Sequence, residues 1–366
     1  MKPIKKKVIC TGANGLDGSS MIDFLLSKEN LDVYGVVRRT SHQNLNDLKD
    51  ALDNPNFKLI TADLSDSHSL EKIVMDIKPD YFINFAAQSF VSSSWDIPEL
   101  TFDINATGVI RCLEAIRKHC RHCRFFNAGS SEEISDVEYV PQDEEHPKSA
   151  RSPYGASKIA SHHIIKIYRE AYDLYALQGI LFSHESPKRS IEFVTQKIAR
   201  GTAEIKKSLT NKVAIVPIEL GYIYTEKDWS HVNDFIVGIW MMLNQEKYGK
   251  FPKSAGFTQP YSLFIKEYVL SSGVPHTIKD FVDKAFEIAG IKGKWIGEGI
   301  NEKYISEENE EIIFVKINPK FFRPSESTIK NVGSSDLIRK DMGWKPEYDF
   351  DKLVKEMVES ALSQNG

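Results

Sequence analysis

Val8-Ile9-Cys10-Thr11-Gly12-Ala13-Asn14-Gly15-Leu16-Asp17-Gly18-Ser19 decides the fold. A short β-branched run leads into three glycines in a G-x-x-G-x-x-G pattern, and an amphipathic segment follows at 19–26. Strand, glycine turn and helix, in that order, open a dinucleotide-binding unit. Gly12, Gly15 and Gly18 allow a tight turn and close approach to a pyrophosphate, whose charge is met by the helix N-terminus. Asn14 and Asp17 lie in the same loop and join the cofactor-binding candidates.

Outward from this loop, β-branched runs alternate with longer amphipathic segments. Further strands are expected at 33–37, 57–61, 81–85, 124–127 and 176–182, with helices between them, including one at 108–118. Such alternation predicts an α/β fold, a doubly wound parallel sheet of Rossmann type. After residue 182 the pattern becomes irregular, with Ser, Lys, Pro and Glu-rich loops at 183–192, 246–262 and 300–327. The expected division is an NADP-binding domain over 1–182 and a smaller α/β substrate-binding domain over 183–366. Residues 213–216 and a helical run at 231–244 are expected to return to the main sheet.

Cofactor choice is read at the end of the second strand, Val36-Val37-Arg38-Arg39-Thr40-Ser41. An acidic residue there would bond the adenosine ribose, whereas Arg38 and Arg39 suit a 2′-phosphate and predict NADP over NAD. Asp63, followed by Leu64, comes after the third strand. It either bonds the adenine amino group or caps a helix over 64–73.

In Ser152-Pro153-Tyr154-Gly155-Ala156-Ser157-Lys158, a tyrosine and a lysine stand four apart and share a helix face. The ammonium is expected to lower the phenol pKa and hold the cofactor ribose, making Tyr154 a usable base near neutral pH.

Composition fits an ordinary soluble globular protein. The chain has 366 residues, 41% hydrophobic and 27% charged, with a net charge of −4. That balance gives no basis for nucleic-acid binding, and Lys5-Lys6-Lys7 runs directly into a strand. The longest apolar stretch, 235–243, is too short for a membrane span, and residues 1–20 lack the apolar core of a signal peptide. A cytoplasmic location is expected. Four cysteines are too few for a disulfide scaffold. Cys120-x-x-Cys123, flanked by His119 and His122, has no second cluster and is read as ordinary loop, with no metal site expected.

Together, the glycine loop, Asn84-Phe85-Ala86-Ala87-Gln88-Ser89 and Tyr154 with Lys158 resemble the extended short-chain dehydrogenase/reductase superfamily. Longer segments are similar to the GDP-mannose 4,6-dehydratase family over nearly the whole chain. They include residues 11–19, 86–89, Tyr168-Arg169-Glu170-Ala171-Tyr172, Gly179-Ile180-Leu181-Phe182-Ser183-His184-Glu185-Ser186-Pro187, 193–198, 227–229, 322–326 and 343–346.

The resemblance implies NADP-dependent conversion of GDP-mannose to GDP-4-keto-6-deoxymannose. Tyr154 would take the C4 hydroxyl proton as hydride leaves C4, Glu132 would remove the C5 proton, and Glu132 or Ser130 would help water depart from C6. Ser130, Glu132, Tyr154 and Lys158 are thus the implied catalytic set, with Glu133 a rival carboxylate. Ala86, Gln88, His184 and Arg189 are implied at the cofactor. Ser89, Ser183, Glu185, Val194, Lys197, Lys227, Arg323 and Glu326 are implied at the GDP-sugar. The family's assembly implies a homodimer or homotetramer.

Ser183 and Phe90 stand where the family has asparagine and histidine, which leaves the sugar open to a GDP-heptose or another GDP-hexose. A nucleotide-sugar 4-epimerase or 4-dehydrogenase on the same fold is the alternative reaction class; in it Glu132 would be idle.

Overall fold

The computed structural model describes residues 5–41, 44–135, 139–248, 261, 264–321 and 331–365. They divide into two units. The first comprises Met1–Phe182, Val232–Ser271 and Gly333–Lys345, and the second the remainder.

The first unit is built on a seven-stranded sheet. Its strands are β1 (Lys6–Thr11), β2 (Leu31–Val37), β3 (Phe57–Thr61), β4 (Tyr81–Asn84), β5 (Arg124–Ala128), β6 (Ala176–Leu181) and a short edge strand Val269–Leu270. From one edge the order is Val269–Leu270, β6, β5, β4, β1, β2, β3. Every adjacent pair is parallel. The chain winds outward from β1 in both directions, so the order reverses between β1 and β4, where such sheets open a ligand crevice at their carboxyl ends.

Both faces are covered, which explains the near-continuous apolar strands. Successive side chains alternate between the faces. Val8, Cys10, Tyr81, Ile83 and Phe126 pack with α1 (Leu16–Leu26) and the helix Val232–Met242 on one face. Ile9, Phe82 and Phe125 pack with the helices Ser67–Ile77 and Gly108–His119 on the other. Two residues further along the latter face, Thr11, Asn84, Asn127 and Gln178 stand opposite one another on four adjacent strands. All four are buried, so an apolar layer gives way to a polar row at the carboxyl ends.

The second unit has a three-stranded sheet of Pro275–Thr277, Glu226–His231 and Ser183–Glu185, and a four-stranded one of Gly293–Ile296, Lys303–Ser306, Ile313–Ile317 and Ile218–Leu220. Helices Val194–Asn211, Ile278–Ile288 and Phe350–Asn365 pack together around Ile198, Phe281, Phe286, Phe314 and Met357.

Several local expectations need correction. Residues 213–216 form no strand and lie in the second unit, whereas Val232–Met242 lies in the first. The strand added to β6 is instead Val269–Leu270, whose two residues are too few to show a period. The 300–327 stretch contains two strands, hidden by their charged flanks. The cap of the helix Ser67–Ile77 is Asp66, which accepts from the His68 N–H; Asp63 instead accepts from the Ser65 N–H and hydroxyl. Among the described residues no helix is long and apolar enough to cross a membrane.

Candidate active site

β1 ends in the glycine loop, and the loop's closeness explains its residues. Gly12 has φ +66°, and a Cβ there would lie 2.8 Å from the Ala86 nitrogen. At Gly18 a Cβ would lie 2.1 Å from the Gly12 carbonyl oxygen, so α1 packs directly onto the turn. Gly15 is the N-cap of α1 and provides no side-chain acceptor for the first helical N–H groups. Those donors and the exposed Gly15 fit a dinucleotide pyrophosphate. Asn14 is exposed and donates to the Asn44 carbonyl at 3.3 Å; Asp17 sits half-buried in the first turn of α1.

Arg38 and Arg39 follow β2 directly and are exposed. Leu64 is buried after β3. Beyond β4, the Ala86 N–H donates to the Thr11 hydroxyl at 3.2 Å. The Gln88 N–H donates to the Asn105 side chain at 2.9 Å, and Asn105 donates in turn to Ser157 of the long helix Pro153–Tyr172 at 3.1 Å. Ser89 is exposed and Phe90 half-buried.

The long helix starts cleanly. Ser152 accepts from the Gly155 N–H, and Pro153 occupies the first turn, where its missing donor costs nothing. A Cβ on Gly155 would lie 2.6 Å from the Glu132 carbonyl oxygen, so the helix start abuts the loop after β5. Tyr154 and Lys158 are both buried, with the Lys158 Nζ 5.6 Å from the Tyr154 ring centre. Lys158 donates to the Ala128 carbonyl at 2.7 Å. The Tyr154 phenol is hydrogen-bonded to Ser130.

The electrostatics differ from the sequence expectation at one point. Burial pushes the Tyr154 phenol above its ordinary range; the Ser130 bond lowers it, and Glu132, Glu133 and Asp17 raise it further. Lys158 is not the group that lowers it here. Burial pushes the Lys158 ammonium itself down to about 8, against the upward pull of Glu133 and Asp17.

Ser130 begins a short 3-10 turn, Ser131–Ile134, and its hydroxyl accepts from the Glu132 N–H at 3.2 Å. The two adjacent glutamates part company in this turn. Glu133 is fully buried, and its Oε1 accepts from the Ser130 N–H and from the Gln178 amide, both at 2.8 Å. Glu132 is half-buried, and its carboxylate makes no hydrogen bond or ion pair to another described residue. Of the two, Glu133 is the one whose carboxylate is tied into the fold.

Among the second-unit candidates, Ser183, His184 and Glu185 lie on a strand that pairs with the strand carrying Lys227. Ser183 and His184 are half-buried on the strand Ser183–Glu185. Glu185 is buried and pairs with the Arg189 Nε at 3.0 Å, and the Arg189 guanidinium lies 3.3 Å from the Phe193 ring centre. Val194 opens the helix Val194–Asn211. Lys197, one turn on, holds its ammonium 4.0 Å from the Phe321 ring centre, and burial lowers its pKa. Lys227 is half-buried on the strand Glu226–His231. Arg323 and Glu326 lie outside the described residues. Cys120 and Cys123 are buried, and burial pushes both thiols above their ordinary range.

Residues 9–357 match the model of the family described as GDP-mannose 4,6 dehydratase. The chain belongs to the GDP-mannose 4,6-dehydratase family. Its relatives include GDP-mannose 4,6 dehydratase 1 of Arabidopsis thaliana, 38% identical with 99% of this chain and 91% of that one covered. The GDP-mannose 4,6 dehydratase of Drosophila melanogaster is 35% identical, with coverage of 98% and 86%. Among solved structures, a dTDP-glucose 4,6-dehydratase from Streptomyces venezuelae with NAD bound aligns with a TM-score of 0.75 at 17% identity, over 97% of this chain and 96% of that one. This last likeness concerns the fold. The expectation of a nucleotide-sugar 4,6-dehydratase, a lyase on a Rossmann-type sheet, is met at the level of the family.

Residues that motif reading passed over are Gln178, His162 and Glu267. Only the fold shows that they meet beneath the site; their spacing in the sequence carries no signal.

Proposed function

We propose that the chain converts GDP-mannose to GDP-4-keto-6-deoxymannose with a bound nicotinamide dinucleotide, specifically NADP. The observation that carries this reading is the division between the two glutamates: Glu133 is bonded within the fold, whereas the Glu132 carboxylate, which acts on the Tyr154 phenol, has no hydrogen-bond or ion-pair partner among the described residues. A 4,6-dehydration needs a carboxylate for the C5 proton, and a 4-epimerase or 4-dehydrogenase does not.

NADP, when bound, supplies the hydride acceptor for C4 and the hydride that reduces C6. Tyr154 takes the C4 hydroxyl proton, and its bond to Ser130 orients the phenol. The Lys158 ammonium, held by the Ala128 carbonyl, lies 5.6 Å from the Tyr154 ring centre and would hold the cofactor ribose. Glu132 removes the C5 proton, Glu132 or Ser130 delivers a proton to the departing C6 hydroxyl, and the second proton taken from the sugar returns to C5 as C6 is reduced. Arg38 and Arg39, exposed just past β2, support the choice of NADP. Gly12, Gly15 and Gly18 admit the pyrophosphate, with Asn14, Asp17, Asp63, Leu64, Ala86, Gln88, His184 and Arg189 around the cofactor. Ser89, Ser183, Glu185, Val194, Lys197, Lys227, Arg323 and Glu326 serve the GDP-sugar.

We also propose a cytoplasmic homodimer or homotetramer. The exposed apolar side chains Trp95, Leu100 and Phe102 support self-association, and light scattering on the purified protein gives the copy number.

The test of function is incubation with GDP-mannose without added reductant. Mass spectrometry should show a product lighter by one water, with a new C6 methyl signal by NMR. Oxidation without water loss would transfer the reading to a 4-dehydrogenase or 4-epimerase.

A further inference from the structure

A fully buried carboxylate is costly to desolvate unless every lone pair is used. Glu133 is such a group, and its partners are revealing. Its Oε1 accepts from the N–H of Ser130, the residue whose hydroxyl bonds Tyr154, and from the Gln178 Nε2. The same Gln178 nitrogen donates to the Lys158 carbonyl at 3.0 Å. A single carboxylate oxygen therefore meets the backbone under Ser130 and, through one amide, the backbone of Lys158.

The site is shaped to admit this carboxylate. A Cβ on Gly129 would lie 2.5 Å from the Glu133 Oε1, so any other residue there would displace it. The Glu133 Oε2 lies 3.0 Å from the His162 Nδ1, and the His162 Nε2 lies 3.2 Å from Glu267, which also meets Arg169 at 3.2 Å. Charges alternate along this buried chain. The Gln178 Oε1 continues in the other direction, accepting from Asn127 at 2.6 Å and from Ser161 at 2.9 Å. Asn127 accepts from Asn84 at 2.7 Å, and Asn84 accepts from Thr11, the residue before Gly12.

We propose that Glu133 is a positioning residue: it fixes the Ser130 backbone and, through Gln178, the Lys158 turn of the long helix, while Glu132 alone faces the chemistry. The polar row to Thr11 holds Gln178 in the orientation that makes both bonds. This inference deepens the dehydratase reading and rests on it for its kinetic arm only.

The test compares Glu133→Leu with Glu133→Gln. Leucine removes the acceptor, whereas glutamine keeps one for the Ser130 N–H. In hydrogen–deuterium exchange on the cofactor-free protein, the peptide covering 129–133 should exchange faster in Glu133→Leu and near the wild-type rate in Glu133→Gln. With GDP-mannose, kcat should fall about 10²-fold in Glu133→Leu, the scale expected of a small misplacement of reacting groups. KM and NADP affinity should be unchanged, and Glu133→Gln should recover most of the loss. Wild-type exchange in Glu133→Leu would overturn the proposal, as would a kcat loss that only follows lost NADP affinity or lost global protection. Should Glu133→Leu fail to fold, Gln178→Leu takes its place, and full activity with unchanged 129–133 exchange in it would equally overturn the proposal. If the wild-type protein does not act on GDP-mannose, the exchange comparison still decides the role of Glu133.

Discussion

The buried polar centre of the first unit and the half-buried candidates of the second, apart from the buried Glu185 with its Arg189 partner, are held in opposite ways. In the first, Tyr154, Lys158, Glu133 and Gln178 are buried, and Lys158, Glu133 and Gln178 are hydrogen-bonded to side chains or backbone of neighbouring elements. In the second, Ser183, His184, Lys197 and Lys227 are half-buried on short strands or the first turn of a helix. On the proposed reading, Lys158 and the backbone under Ser130 are held by a polar lattice, whereas the groups proposed to recognise the nucleotide can remain partly solvated until it arrives. The difference predicts that changes at Tyr154, Glu132 and Glu133 act on turnover, and that changes at Ser183, Lys197 and Lys227 act on affinity.

The largest effect should come from Tyr154→Phe. Removing the phenol should lower kcat by about 10³-fold, within the range of general acid–base catalysis, when product formation is followed by mass spectrometry. Glu132→Gln comes next. It should reduce water loss by about 10²-fold yet spare C4 oxidation, seen as transient NADPH absorbance. Equal loss of both steps would erase the distinction between Glu132 and its neighbour.

The arginine pair sharpens the comparison from the cofactor side. Replacing Arg38 and Arg39 with Ala should weaken NADP binding by about tenfold or more, the scale of one charge-assisted hydrogen bond, with little change for NAD. Fluorescence titration with both cofactors measures this. Lys197→Ala should raise KM for GDP-mannose by about 3–10-fold with kcat maintained, as befits a partly exposed contact. A large kcat loss in that variant would break the contrast between the units.

The smallest expected effect concerns pH and stability. Burial alone would lower the His162 pKa, but the carboxylates of Glu133 and Glu267 beside the ring overcome it and raise it to about 9. A raised pKa stabilises the fold fully below the ordinary value of 6.5 and loses that contribution as pH rises through about 9. Urea unfolding should therefore show His162→Gln farther below the wild type at pH 6 than at pH 9.5.

How much was legible in the sequence follows the same division. The glycine loop, the end of β2 and the Tyr154–Lys158 pair are local patterns whose spacing encodes their geometry, so the parallel sheet and the nearness of Lys158 to Tyr154 could be read directly. The edge strand Val269–Leu270 was not legible because it is contributed from 88 residues after Leu181 and is too short for a period. Asp63 looked like a helix cap because an acidic residue preceded an apolar run, yet Asp66 holds that place. The Glu133 network was invisible for a related reason. Gly129, Glu133, His162, Gln178 and Glu267 belong to four separate stretches that only the sheet order brings together.

The most direct test of the account is the fate of the C4 hydride. GDP-mannose deuterated at C4 is incubated with the enzyme without added reductant, and the product is examined by NMR. Deuterium recovered in the C6 methyl group is the predicted result, since one bound cofactor takes the hydride and returns it. A C6 methyl group without deuterium, or deuterium retained at C4, would contradict the account.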